Sequence, residues 1–99
     1  MTYQDFLNDV EATLDEVEQI IGHPAILSRT MIEVHGSVGA LIRIVQNEEL
    51  AEYFETLRAQ GRLDLTFESL VLRHPDEFPS RVVEIAKWRL ERSGWSASE

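Results

Sequence analysis

The stretch Tyr3-Gln4-Asp5-Phe6-Leu7-Asn8-Asp9-Val10-Glu11-Ala12-Thr13-Leu14-Asp15-Glu16-Val17-Glu18-Gln19-Ile20-Ile21 decides the fold class. Tyr3, Leu7, Val10, Leu14, Val17 and Ile21 recur at alternating four- and three-residue intervals. That spacing predicts a helix of about five turns with one apolar stripe, widened by Phe6 and Ile20. Thr2 or Tyr3 opens it, and Gly22 can close it in a left-handed conformation.

Outward from this helix, Pro24 suits the first turn of a second, running to about His35, with Ile26, Leu27, Met31, Ile32 and Val34 on its buried side. Gly36 ends it, and Ser37 is an N-cap for a third helix, Val38 to Gln46. This third segment is apolar almost all round (Val38, Ala40, Leu41, Ile42, Ile44, Val45), which predicts a central helix surrounded by its neighbours. Its β-branched residues would also permit a strand.

Asn47 caps a fourth helix with Glu48 and Glu49 in the first turn, where the helix dipole favours anions. Leu50, Tyr53, Phe54 and Leu57 form its apolar face, Arg58 lies in its last turn and Gly61 follows as the stop. Thr66 caps a short helix ended by His74-Pro75, since a residue before proline avoids helical backbone. Pro79-Ser80 opens the last helix, to about Arg92. The expectation is an all-α, compact single-domain bundle of five to six short-to-medium helices around a central apolar helix at about 37–46. Residues 1–94 form the domain and 95–99 a short tail.

The 99 residues suit one domain, and 43 % hydrophobic content is enough for a packed core. Cysteine is absent, which excludes a disulfide scaffold, a thiolate zinc site and a cysteine nucleophile. The net charge of -9 argues against direct nucleic-acid binding, which depends on Lys and Arg displacing counterions, and against anionic membrane surfaces. It is also simply a means of staying soluble. The first residues lack the basic start and apolar run of a secretory leader, and no stretch reaches the ~20 apolar residues that span a bilayer. The cytoplasm is the expected location.

The charge is unevenly placed. The first 28 residues hold six carboxylates and no Lys or Arg. Asp5, Asp9, Glu11, Asp15, Glu16 and Glu18 occupy the polar side of the first helix, and two like-charged pairs, Asp5–Asp9 and Glu11–Asp15, stand at the unfavourable four-residue spacing. This acidic face is a candidate binding surface for a basic partner, such as a nucleic-acid-binding protein. On the last helix Val82, Val83, Ala86 and Leu90 make a core-facing arc. Arg81, Ile85, Trp88, Arg89 and Arg92 form a basic-aromatic stripe opposite it, with the composition of an interaction hot spot.

No catalytic, cofactor-binding or metal-binding set emerges. His23 and His74 each precede a proline and His35 ends a helix, so all three suit caps and turns. Glu52–Glu55 matches half of a di-iron carboxylate site but lacks the companion Glu-x-x-His. Gly36-Ser37-Val38-Gly39 lacks the lysine and the length of a phosphate loop. Arg62 and Asp64 fit a structural pair at a buried turn.

The leading expectation is therefore a non-enzymatic acidic helical protein that works by protein–protein binding, as an inhibitor, an immunity- or antitoxin-like partner, or an accessory subunit. The alternatives are a homodimeric structural module with the first or last helix as seam, and a small-molecule binder or enzyme with a pocket between helices.

Overall fold

Thr2 opens helix α1 (Tyr3–Ile21) with a reciprocal cap: its hydroxyl accepts from the Asp5 amide, and the Asp5 carboxylate accepts from the Thr2 amide. These details come from a computed structural model that describes residues 2–51 and 53–94. Gly22 closes α1 with φ 83 and ψ 12, the left-handed geometry that favours glycine.

The chain turns through Pro24 and enters α2 (Ile26–Gln46) two residues later than proline placement suggested, with Ala25 at the N-cap. Gly36 breaks α2 into two arms, 26–35 and 37–46. Ser37, the expected cap, is itself helical, and the break lies at the expected end of the second helix, Gly36. Its φ of 77 and ψ of 166 fall in a region essentially reserved for glycine.

The expected fourth helix is not continuous. Asn47 caps only a 3-10 turn, Glu48–Leu50, and α3 (Phe54–Ala59) begins after a break. A 3-10 turn at Leu63–Leu65 leads to Thr66, which caps α4 (Phe67–Arg73) by accepting from the Ser69 amide. His74 and the turn Pro75–Glu77 end α4, and α5 spans Ser80–Arg92. The all-α expectation therefore holds: five α-helices, one of them two-armed, and no strand among the described residues. The tail, 95–99, and Glu52 of the half di-iron spacing lie outside the described residues.

The second arm of α2 is the central element. Ala40, Leu41, Ile44 and Val45 are completely buried, against α4 and α5, which pack on each other most extensively. The main core joins Phe6, Val10 and Leu14 of α1 to Leu41, Val45, Leu70, Val71, Val82 and Ala86. Phe6 sits at its edge-to-face centre, 5.7 Å from the Phe78 ring and 5.3 Å from the His74 ring. A smaller cluster, Val17, Leu57 and Leu65, seals the far end of α1. The Cα radius of gyration is 12.4 Å, in line with the ~13 Å of a folded 100-residue domain.

The first arm of α2 departs from its expected orientation. Ile26 and Val34 are each 69 % exposed and Leu27 is 39 % exposed, while Ala25 and Ser28 are buried instead. Met31 and Ile32 are half-buried. The pattern of apolar residues marked this segment as a helix correctly, but of the side expected to be buried Ile26, Leu27 and Val34 face solvent, while Ile32 packs against the core.

Candidate interaction surface

The acidic face of α1 is answered within the molecule, by side chains far apart in sequence. Arg29, on the first arm of α2, lies among three carboxylates. Its Nε and Nη2 donate to Glu18 at 2.8 Å each, Nη1 reaches Glu11 at 3.2 Å and Nη2 reaches Asp15 at 3.1 Å. Glu18 also accepts from the Ala25 amide at 2.7 Å, so it fastens the start of α2 to the end of α1. The Arg29 bonds, then the Ala25 amide, hold the Glu18 carboxyl down at about 2. The same bonds raise the Arg29 guanidinium further above its already high value.

Two more fasteners follow. Arg62 Nη2 donates to Glu16 at 2.8 Å, while its Nε donates to Asp64 at 3.0 Å and lowers the Asp64 carboxyl. The expected Arg62–Asp64 pair is thus present, but both side chains are partly or largely exposed, at 38 % and 55 %, where a buried turn was expected. At the other end of α1, Asp9 accepts from Arg73 Nε at 2.9 Å and from His74 Nε2 at 2.7 Å. Burial pushes the Asp9 carboxyl up, but bonds from Arg73 and His74 outweigh it and the net shift is downward. A carboxylate only accepts, so Nε2 of His74 carries the proton. Asp5 serves the Thr2 cap, whose amide lowers its carboxyl.

All six carboxylates on α1 therefore have partners, and among the described residues none of their ion-pair partners comes from α5. The acidic helix and the last helix do not meet through these charges. The face nevertheless keeps negative charge. Glu11, Asp15 and Glu18 outnumber Arg29 three to one, and Glu11 and Asp15 are 61 % and 60 % exposed.

The basic-aromatic stripe of α5 is split. Arg81 and Trp88 are exposed, Trp88 by 55 %, and the Arg92 guanidinium stacks 4.4 Å from the centre of the Trp88 ring. Ile85 is half-buried against the core. Arg89 departs from the expected exposed placement: it is buried, with Nη1 donating to the equally buried Glu68 and Nε 3.6 Å from Glu48 Oε1. Burial pushes the Glu68 carboxyl up, and the Arg89 bond opposes it.

Sequence reasoning passed over Arg29 and Glu68. Arg29 carried a signal, being the first basic residue after a long acidic stretch. Glu68 stood among Phe67, Leu70 and Val71 on a short helix, a charge in apolar company. Of the histidines, His23 is exposed in the turn after α1 and His35 is exposed at the end of the first arm of α2, whereas His74 is buried against Phe6 and Asp9. Among the described residues no group of three or more His, Asp or Glu is placed to hold a metal ion, and no helix is long and apolar enough to cross a membrane.

A groove of about 250 Å³ opens between α1 and the first arm of α2. Its lining is apolar at Leu7, Val10, Leu14 and Ile32 and polar at Glu11, Arg29 and Ser37. No protein-family model matches the chain, and neither does a curated protein or a solved structure.

Proposed function

We propose that this protein works by binding another protein, and that α1 together with the first arm of α2 is the contact face. The observation that carries this reading is the exposure of Ile26, Leu27 and Val34 along a single helix arm. Contiguous apolar surface is ordinarily buried in a soluble domain, and a patch left uncovered, bordered by charge, marks an interaction site. The carboxylate excess around Arg29 borders this arm, so the partner is basic where it meets α1. Trp88, stacked under Arg92, is a smaller and separate surface.

The test is retention of a partner from the host lysate by tagged protein, compared with Ile26→Ser/Val34→Ser. Wild type is expected to hold a discrete protein whose retention falls as salt rises. The double variant is expected to lose it while keeping its helical circular dichroism. Equal retention by the variant, or no retained protein with wild type, would overturn the reading.

A further inference from the structure

We propose that the groove between α1 and the first arm of α2 receives one large apolar side chain from a basic segment of the partner protein. A Lys or Arg about one helical turn from that anchor lies on Glu11 and Asp15. This rests on the protein-binding reading above and specifies the chemistry of the partner.

The groove is lined from both helices, by Leu7, Val10, Glu11 and Leu14 of α1 and by Arg29 and Ile32 of the first arm of α2. Val10 and Leu14 form its floor at 3 % and 1 % exposure, so an inserted side chain reaches the main core. Leu7 and Ile32, both half-buried, form its walls. The space of about 250 Å³ is below the ~300–1,000 Å³ typical of small-molecule pockets, but it suits a single anchor residue of the kind that dominates protein interfaces.

Charge selects the occupant. The rim already holds one guanidinium, that of Arg29, through bonds to Glu11, Asp15 and Glu18. Three carboxylates on one cation leave a net charge of -2, and the Glu11 and Asp15 side chains remain more than half exposed. A second cation completes the balance, whereas an acidic segment is repelled. A second copy of this chain is disfavoured for the same reason, since it brings its own charge of -9.

The experiment titrates isotope-labelled protein with three synthetic helical peptides, followed by amide chemical shifts. One carries leucine and tryptophan at helical spacing flanked by Lys and Arg. A second replaces the Lys and Arg with Glu, and a third replaces the apolar residues with Ser. The first is expected to bind at least about tenfold more tightly than either control. Its shifts should centre on Leu7, Glu11, Ile32 and Ser37. Glu11→Gln/Asp15→Asn should weaken it about tenfold at low salt and little at high salt. Ile32→Trp, which fills the groove, should abolish it, and the shift map of wild type decides the matter if that variant fails to fold.

Shifts centred elsewhere, equal binding of either control, or no binding overturn the groove assignment. So does a concentration-dependent dimer whose interface shifts fall on the same amides. If a lysate partner is retained while the groove assignment fails, the protein-binding reading survives. If wild type retains nothing, that reading fails too.

Discussion

Glu68 and Arg89 carry opposite charges in the core, with side-chain exposures of 1 % and 7 %. Removing one partner strands the other in a low-dielectric setting, which costs about 3–5 kcal/mol, whereas replacing both with apolar residues of similar volume is often neutral or better. Arg89→Met and Glu68→Leu are each expected to cut deeply into the ~5–15 kcal/mol of a domain this size, and the double variant to recover most of the loss. Urea denaturation of the four proteins checks this; additive losses in the double variant would show that the pair does not act as a unit. Arg89 also shows where reading by residue type stops. An arginine at that wheel position looks like surface, and only the arrival of Glu68, 21 residues away in sequence, buries it.

At the scale of elements, two glycines with similar φ have different tolerances. Gly22, at φ 83 and ψ 12, has ordinary left-handed backbone that Asn also adopts. Gly36, at φ 77 and ψ 166, has a backbone only glycine reaches at low cost. A Cβ meets nothing within 4 Å at either, so the difference is conformational. Thermal unfolding is expected to show Gly22→Asn within about 1 kcal/mol of wild type and Gly36→Ala losing about 2 kcal/mol. Thr2→Ala should lose about 1 kcal/mol through the α1 cap. Ile26→Ser and Val34→Ser should lie within about 0.5 kcal/mol of wild type, because their side chains face solvent. The helix stops and the starts of α1, α4 and α5 were legible in the sequence for the same local reason that makes these effects predictable: a cap or a glycine acts on backbone within a few residues of itself. Helices α2 and α3 start later than expected. The side of the first α2 arm that faces inward was not legible, since apolar residues lie on both sides and only tertiary packing selects Ala25 and Ser28 for burial.

For the whole molecule, the carboxylates fastening α1 to α2 and α4 predict acid sensitivity with a defined sign. Glu18 falls from an ordinary 4.5 to about 2 on folding, and Asp9 is also lowered. Between the folded and unfolded values the unfolded chain binds more protons, so stability rises with pH there. The stabilisation is complete above the ordinary carboxylate range and is lost as pH falls from about 4.5 toward about 2. Urea midpoints at pH 7, 4 and 3 should decline in that order, and Glu18→Gln should flatten the decline; an unchanged slope would remove Glu18 from the account.

By itself the sequence determined the all-helical class, the opening of α1 at Thr2 or Tyr3, the cap at Thr66, the glycine breaks and the concentration of acid on α1. All of these rest on interactions within a turn or two of backbone. Only the tertiary structure decided which of those acids are spoken for, that Arg89 is core and that Ile26 and Val34 are surface. Burial and ion pairing depend on partners such as Asp9 and His74, 65 residues apart, and no local pattern states which partners folding will bring together.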